Sequence, residues 1–485
     1  MMTGAIALLT LCNSCALVPS PRTKALSTTW PEPVSQSEGD RSPFLPKRLP
    51  QDPQIQVYFN HTPTAAFTDP YRRIRRPGDD LEALIAAQIN QATRSVDVAV
   101  QELRLPRIAE ALVNRHRAGV RVRVIVENQY RQPWSAYSPE ALEQLPSRER
   151  SRIRGYQKLG DRDGDQVVSP EEADRMDTMR MLARGQVPVI DDRADGSKGS
   201  GLMHHKFVVV DGQRVLTGSA NFTPSDTFGD VGRPHTLGNP NHLLVISSST
   251  VAGWFQEEFE LMWGDGPGGE PDSQFGRQKP FRSPRTIRLG NSQLTVHFAP
   301  APGAIALRDT TTGTIATALD TVQKQADLAL FVFSDQHLAN RLLLARQRGA
   351  QIRLLIDTGF AFRYYSEGLD LAGVARPNRE CEVEAGNRVW GAAPIPDFGV
   401  PQLPSQDLLH HKFAVLDRRM VIAGSQNWSE AGARTNDETL VVVENSAIAA
   451  HFQREFDRLI STAMLGIPRR VQAKIDQLRE DCLAR

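Results

Sequence analysis

The chain has 485 residues, enough for two or three domains, and 40% of them are hydrophobic. Its 57 basic and 56 acidic side chains leave a net charge of +1, so no overall field attracts it to nucleic acid. The sequence contains no apolar run of the roughly 20 residues that a membrane-spanning helix needs, so none is predicted.

The first residues read as a leader. Residues 1–17 are small and apolar, as in the core of a short signal peptide, although no Lys or Arg precedes them. Cys15 follows Cys-Asn-Ser, a weak match to a lipoprotein cleavage box. We expect an exported or lipid-anchored protein; the alternative is an unstructured leader on a cytoplasmic one. Residues 18–53 are rich in Pro and Ser and predict a disordered linker, so leader and linker fill residues 1–53.

Residues 54–265 show alternating helix and strand patterns. An amphipathic helix begins near Leu84 and leads into an alternating strand at 95–100. A second helix ends at Gly119, and a further strand follows at 120–126. This order of elements predicts a sheet covered by helices.

Residues 291–466 repeat this order. A helix at 315–322 precedes a strand at 326–333, a second helix ends at Gly349, and a strand follows at 352–356. The Gly- and polar-rich segment 266–290 predicts a connector between the two halves, and the charged residues 467–485 predict a C-terminal surface helix.

The first half contains additional residues near 137–184, with helical patterns at 139–159 and 170–184. Between them, acidic residues follow the spacing of an EF-hand calcium loop, except that Gln166 stands where Gly is usual. An acidic surface turn with a helix cap is the alternative. The calcium ligands that this spacing predicts are Asp161, Asp163, Asp165, Val167, Ser169 and Glu172. We expect such a calcium ion to be structural or regulatory.

The string His-x-Lys-x4-Asp occurs twice, and each copy is followed seven residues later by Gly-Ser-x-Asn. The polar residues of the two copies are His204, Lys206, Asp211, Ser219 and Asn221, and His410, Lys412, Asp417, Ser425 and Asn427. Each copy offers an imidazole for nucleophilic attack or proton transfer. Each also offers an ammonium and small polar groups for phosphate oxygens. Identical spacing in both halves indicates chemistry at a phosphodiester.

These strings resemble the phospholipase D superfamily, whose members carry two such motifs. The resemblance covers most of residues 54–465 and implies an α/β fold: two tandem, pseudo-symmetric α/β/α sandwich halves with the active site at their interface. It implies no cofactor or metal for catalysis. It also implies that one histidine, here His204, forms a covalent phosphohistidine, while His410 protonates the leaving alcohol and then activates water.

The resemblance also assigns supporting roles. Lys206 and Lys412 would hold phosphoryl oxygens together with the Ser and Asn residues that follow them. Asp211 and Asp417, although part of the catalytic motifs, are expected to fix the turn after the strand. His205 and His411 alternate with the motif residues and are expected to face the other side of the strand.

Family members often place an acid after Gly-Ser-x-Asn to orient a catalytic histidine. The second half has Glu438 there, and alignment of the first half places Asn241 at that position. An amide accepts a hydrogen bond but does not stabilise an imidazolium as a carboxylate does. The two histidines are therefore expected to have unequal roles, with Asp191 or Asp192 as possible substitutes for the missing acid.

The motifs fix the reaction class and not the substrate. The first hypothesis is a monomeric phospholipase D that acts on phospholipid at a membrane surface, giving phosphatidic acid by hydrolysis or transferring the phosphatidyl group to an alcohol. The alternative is a nuclease for DNA or RNA, for which basic clusters at 72–76 and 148–154 offer phosphate contacts. Cys381 and Cys482 would pair only after export.

Overall fold

The computed structural model describes residues 45–193, 199–384, 386–392 and 394–484. Most of the predicted leader, residues 1–44, lies outside the described residues. Within the described ranges, every helix is too short or too polar to cross a bilayer.

The first half forms a seven-stranded sheet among the described residues, in the order β1-β9-β8-β7-β4-β5-β6, and a separate hairpin of β2 and β3. Its strands are β1 (Ile55–Phe59), β2 (Ala66–Thr68), β3 (Arg75–Pro77), β4 (Ser95–Val100), β5 (Arg121–Val126), β6 (Val189–Asp191), β7 (Lys206–Val210), β8 (Arg214–Gly218) and β9 (His242–Ser247). Its helices are α1 (Leu81–Asn90), α2 (Pro106–Arg117), α3 (Pro139–Gln144), α4 (Ser147–Gly160), α5 (Pro170–Met176), α6 (Thr178–Arg184), α7 (Pro224–Thr227) and α8 (Ser249–Trp263).

The second half forms a nine-stranded sheet among the described residues, in the order β10-β11-β17-β16-β15-β12-β13-β14-β18. Its strands are β10 (Arg285–Leu289), β11 (Ser292–Ala299), β12 (Gln325–Leu330), β13 (Gln351–Ile356), β14 (Phe398–Val400), β15 (Lys412–Leu416), β16 (Met420–Gly424), β17 (Glu438–Glu444) and β18 (Met464–Leu465). Its helices are α9 (Thr311–Asp320), α10 (Gln336–Gln347), α11 (Glu367–Leu371), α12 (Glu430–Arg434), α13 (Ser446–Ile460) and α14 (Arg469–Leu483).

The two sheets share one strand order. The sequence β1-β9-β8-β7-β4-β5-β6 matches β11-β17-β16-β15-β12-β13-β14, and the second sheet adds an edge strand at each end. The inner faces of both sheets pack with α8 and α13 into one core that includes Phe207, Phe255, Phe413 and Phe452. Separate outer cores lie beneath α1 and α2 and beneath α9 and α10. The prediction of two pseudo-symmetric α/β/α halves is confirmed.

The additional residues of the first half form four short helices where two longer ones were expected. Pro146 separates α3 from α4, because the residue before a proline is disfavoured in the α conformation. Asp177 ends α5 and begins α6, and its carboxylate accepts a hydrogen bond from the backbone N–H of Ser135 at 2.8 Å. The insertion is thereby tied to the loop that follows β5.

Two predicted boundaries differ from the structure. Residues 45–53 were expected to be disordered, but they contact the second half: His451 donates to the Pro50 carbonyl at 3.0 Å, and Asn445 donates to Asp52 at 3.1 Å. Composition missed this because the contacts come from helix α13 and its cap, some 400 residues away. The segment 266–290, predicted as a connector, includes β10, which pairs with β11 at the edge of the second sheet.

The C-terminal helix α14 lies on the second half, where Ile475 is its one residue buried among those described. A disulfide joins Cys482 of this helix to Cys381, in the long segment between β13 and β14. Arg479 also donates to the Ala375 carbonyl at 3.2 Å. The helix is therefore anchored to one loop, in agreement with a surface helix.

Candidate active site

The two motif histidines lie at the same place in their halves, directly before the central strands β7 and β15. His204 and His410 are 6% and 7% exposed. The backbone N–H of His204 donates to the carbonyl of Asp437, in the second half, at 3.0 Å. Each sheet thus presents its histidine at the seam between the halves, as the resemblance implied.

Each histidine is oriented by a residue of the opposite half. Nδ1 of His204 lies 2.7 Å from Oε2 of Glu438, and Nδ1 of His410 lies 2.9 Å from Oδ1 of Asn241. The Asn241 amide donates from Nδ2 to two backbone carbonyls, which fixes Oδ1 as the acceptor for the ring. Both rings therefore carry a proton on Nδ1 when neutral, so that Nε2 is left to react.

The serines of Gly-Ser-x-Asn form hydrogen bonds to the residues that orient the two histidines. Ser219 donates to Asn241 at 2.7 Å, and Ser425 donates to Glu438 at 2.6 Å. A hydroxyl has one proton to donate, and each is already used. Sequence spacing could not reveal these two hydrogen bonds, and direct contact of Ser219 and Ser425 with phosphate stays a prediction.

The structure explains why glycine stands first in the Gly-Ser-x-Asn motif. A Cβ at Gly218 would lie 2.1 Å from the His242 carbonyl oxygen, and one at Gly424 would lie 2.2 Å from the Thr439 carbonyl oxygen. Glycine therefore lets each strand approach the residue next to Asn241 or Glu438. That approach allows the following serine to reach the residue that orients the histidine.

The motif lysines are buried and belong to the same site. Lys206 donates to the carbonyl of His204 at 2.7 Å and to Gln101 at 3.3 Å. Lys412 donates to the carbonyl of His410 at 2.8 Å, and its Nζ lies 4.9 Å from the centroid of the Phe331 ring. The lysine of the first half thus contacts an amide oxygen, and the lysine of the second half lies over an aromatic ring.

Burial and the two ammonium groups determine the charge of the site. Burial and then Lys206 and Lys412 hold the pKa of His204 well below its ordinary value, and burial and the same lysines lower the pKa of His410. Burial raises the pKa of Glu438 to about 7, although Lys206 opposes this. Both lysines therefore act on both histidines, and the site is suited to an anionic ligand.

Asn221 and Asn427 are placed where the resemblance puts them, after β8 and β16. The Oδ1 atom of each is buried and has no hydrogen-bond partner among the described residues. Their roles in phosphate binding remain predictions, as do the catalytic roles of the histidines and lysines.

Asp211 and Asp417 lie at the far end of β7 and β15 from the histidines, roughly 20 Å away along the strand. Asp211 has φ 55° and accepts from the backbone N–H groups of residues 93–95. Asp417 has φ 50° and accepts in the same way from residues 323–325. Neither aspartate is a member of the catalytic group; each fixes the turn, as expected.

The acids suggested as substitutes near the first motif serve other purposes. Asp192 accepts from the backbone N–H of Asn128 at 2.7 Å, and Asp191 accepts from the N–H of Arg193 at 2.9 Å. The suggestion that one of them orients a histidine is wrong. The carboxylate that sequence reasoning missed is Asp226, whose Oδ2 lies 3.7 Å from Nδ1 of His410.

The intervening histidines face the opposite side of their strands, as predicted, and are fully buried. His205 contacts Thr439 at 2.9 Å and Glu258 at 3.2 Å. His411 contacts Glu455 at 2.9 Å. Each acid is paired further with a cation, so these networks hold the strands behind the site in place.

The acidic loop has part of the geometry of a calcium site. The carboxylate oxygens that lie within 4.8 Å of one another are those of Asp161, Asp163 and Asp165. Gln166 adopts φ 70°, the left-handed conformation that the loop requires. Glu172 instead forms a capping box with Ser169 and accepts from the backbone N–H of Arg162 at 2.6 Å. Calcium binding therefore stays a prediction.

Comparison with known proteins gives consistent matches. A family model described as "Cardiolipin synthase, PLD-like domain" matches residues 85–263 and 315–460, which is most of both halves. The chain is 30% identical over 139 residues to the mitochondrial cardiolipin hydrolase of Xenopus tropicalis, covering 28% of this chain and 55% of that protein. It is 24% identical over 162 residues to a phospholipase D of Rickettsia bellii (strain RML369-C), covering 33% of this chain and 66% of that protein.

The chain spans about half the length of most of the curated relatives it matches. Among solved structures, phosphatidylserine synthase of Haemophilus influenzae Rd KW20 aligns with a TM-score of 0.51 and 12% identity, over 90% of this chain and 96% of that one. This likeness concerns the fold alone. The two matched regions and the paired motifs establish that the chain belongs to the phospholipase D superfamily.

Proposed function

We propose that this chain is a phospholipase D-type phosphodiesterase that hydrolyses phospholipids through a covalent phosphohistidine. The observation that carries the proposal is the crossed pair of histidines, each held through Nδ1 by a residue of the opposite half. Two imidazoles with free Nε2 atoms beside two buried lysines match the needs of attack and proton transfer at one phosphorus.

In the first step, Nε2 of His204 forms a bond to phosphorus while the bond to the leaving alcohol breaks. His410, protonated on Nε2, gives its proton to that alcohol. In the second step, His410 takes a proton from water, the hydroxide forms a bond to phosphorus, and the P–N bond breaks to release His204 and phosphatidic acid. An alcohol in place of water gives transphosphatidylation.

The surrounding residues stabilise the charges that develop during the reaction. Glu438 stabilises the positive charge that His204 gains when it is phosphorylated, which Asn241 cannot do for His410; this supports His204 as the nucleophile. Lys206 and Lys412 favour the transition state because its equatorial oxygens carry more negative charge than the ground state does. Metal ions have no step in this proposal, and calcium at the acidic loop would be structural.

The ion pairs and burial of the arginines in the two basic clusters favour a lipid substrate over a nucleic acid. In the cluster at 148–154, Arg152 pairs with Glu102, and Arg150 and Arg154 both pair with Glu143. In the cluster at 72–76, Arg72 pairs with Asp69 at 2.7 Å and Arg76 is buried. These pairings leave less unpaired positive charge for a polynucleotide backbone.

The relatives point the same way, since those cited are named for cardiolipin hydrolysis and phospholipase D activity. We also propose that the protein is exported and works at a membrane surface as a monomer. The Cys381–Cys482 pairing supports export, because disulfides persist in oxidising compartments and are rare in the cytosol.

The test compares two substrates under one condition. The protein is incubated in EDTA with phosphatidylcholine vesicles and, separately, with single-stranded DNA. Choline release without DNA cleavage is expected, and DNA cleavage without choline release would replace the proposal with the nuclease alternative. His204→Ala and His410→Ala should each abolish turnover, because the first removes the nucleophile and the second removes the acid that protonates the leaving alcohol. Full activity in either variant would refute the shared site.

A further inference from the structure

The two halves differ at the residue that orients each catalytic histidine. Glu438 places a carboxylate on His204, whereas Asn241 places a neutral amide on His410. A neutral acceptor holds the ring in position but adds no charge that favours the imidazolium. His410 must nevertheless be protonated to act as the acid in the proposed function.

A carboxylate lies beside that amide. Oδ2 of Asp226 is 3.7 Å from Nδ1 of His410, and the Asp226 side chain is only 5% exposed. The backbone N–H of Asn221 donates to its Oδ2 at 2.9 Å, and Asn239 donates to its Oδ1 at 2.6 Å. These bonds fix the carboxylate in place. Burial raises the pKa of Asp226, while the two amide donors and the motif lysines favour its ionised form.

Asp226 also fixes the amide that holds the ring. Its backbone carbonyl accepts from Nδ2 of Asn241 at 3.1 Å, which keeps Oδ1 of that amide directed at His410. One residue therefore acts on the ring in two ways, through the orientation of Asn241 and through its own charge.

At the position equivalent to Asp226, the second half has a glycine. Gly432 follows Asp226 by 206 positions, the same offset that relates His410 to His204. Both occupy the same helical position: Thr223 caps the N–H of Asp226 at 3.3 Å, and Ser429 caps the N–H of Gly432 at 3.2 Å. A Cβ at Gly432 would lie 2.4 Å from the Asn427 carbonyl oxygen, so no side chain fits there.

Each half has one carboxylate at two equivalent positions, but the position that carries it differs between the halves. Where the second half uses Glu438 and Gly432, the first half uses Asn241 and Asp226. We propose that Asp226 is a positioning residue that supplies to His410 the negative charge that Asn241 lacks, and so maintains it as the general acid. This rests on the proposed function, in which His410 protonates the leaving alcohol.

Other titratable groups also surround this ring. The charged or titratable residues that also act on this ring or on its loop are Lys412, Lys206, His204, His411 and Asp357. Burial and the lysines disfavour the imidazolium. Asp226 is therefore expected to set how far the pKa of His410 falls, and to have little effect on His204, which has Glu438.

The experiment measures both rings directly, without needing turnover. Protein with 15N-labelled histidine is titrated by NMR in saturating inorganic phosphate, with His410→Gln and His204→Gln for assignment. Asp226→Asn and Asp226→Ser remove the charge, and serine can still accept from Asn239 if the asparagine variant does not fold. Asp226→Glu keeps the charge and serves as the matched control.

The neutral variants should lower the pKa of His410 by about one unit and leave that of His204 unchanged, while Asp226→Glu should stay near the wild type. The alkaline limb of kcat for choline release should move to lower pH by the same amount. Equal pKa changes at both rings, or none at His410, would overturn the role of Asp226. If the wild type turns over neither phosphatidylcholine nor single-stranded DNA while the pKa of His410 still shifts in the variants, the proposed function is overturned and the role of Asp226 is not.

Discussion

Oε2 of Glu438 lies 2.7 Å from Nδ1 of His204, although 234 positions separate the two residues. Glu438 begins β17 in the second half, and His204 precedes β7 in the first. The same Oε2 accepts from Ser425, so the carboxylate is held on two sides. Neither half alone can assemble this pair, and several expectations depend on it.

The first prediction concerns Glu438→Gln, which keeps a hydrogen bond to His204 and removes the charge. Because the phosphohistidine loses the support of a carboxylate, turnover should fall roughly 100-fold or more. Burial raises the pKa of Glu438 to about 7, so wild-type kcat/KM should rise with pH through that value as the carboxylate ionises. The variant should lack this rise. If kcat/KM of the variant for choline release still rises with pH through this value, the prediction is wrong.

The second prediction concerns the motif aspartates far from the histidines. Asp211→Ala leaves three backbone N–H groups of residues 93–95 without their acceptor, so the free energy of unfolding should fall by about 1–3 kcal/mol. Asp417→Ala should behave alike because its contacts are equivalent. Urea titration measures the loss. The rate per folded molecule should stay near that of the wild type; a 100-fold loss would return these residues to the catalytic group.

The third prediction concerns Lys279, a fully buried connector residue. Its Nζ pairs with Glu258 and lies 2.5 Å from Oδ1 of Asp437, the neighbour of Glu438. Lys279→Met removes the cation that pairs with buried Asp437 and leaves Glu258 with Arg282 as its remaining cation, so it should cost about 3–5 kcal/mol of stability. Arg285→Met, which breaks the exposed pair with Glu257, is the control and should cost less than about 1 kcal/mol. Equal losses of unfolding free energy in the two variants, measured with urea, would show that the buried Lys279 pairs stabilise the fold no more than the exposed pair of Arg285 does.

The fourth prediction is a pH dependence of stability. Burial, with Asp370 and Glu384 nearby, raises the pKa of Glu367 to about 9 from an ordinary value of 4.5. The folded state therefore binds this proton more tightly than the unfolded state. The resulting stability is complete below pH 4.5 and is lost as pH rises toward 9.

Glu367→Gln mimics the protonated side chain at every pH. At pH 8 the variant should exceed the wild type by about 2–4 kcal/mol, and at pH 4.5 the two should be nearly equal. Urea unfolding at both pH values measures the difference. A constant difference between the two proteins would mean that Glu367 does not titrate in this range.

The fifth prediction concerns the acidic loop. Three carboxylates within 4.8 Å of one another should bind calcium once Glu172 leaves its capping box. Isothermal titration of calcium into metal-free protein should show one site, and Asp163→Ala should abolish the heat. No heat in the wild type would leave the loop as an acidic turn with a helix cap, which was the alternative reading of the sequence.

The sequence by itself determined the two motifs of candidate site residues, the twofold repeat and the order of strands and helices. These follow from local patterns: fixed spacing within each motif, alternation along β4 and β12, and glycines that end helices. The turn roles of Asp211 and Asp417 also followed, because the left-handed turn adjoins the strand in the chain.

Only the tertiary structure decided which residue serves which histidine. The exchange of partners across the seam, the use of Ser219 and Ser425 behind the site, and the position of Asp226 depend on how two sheets pack. Residues 45–53 were likewise misjudged, since their partners lie on α13. Spacing along a chain specifies contacts within a strand or a turn, whereas contacts between distant segments are set by the shape of the core that brings them together.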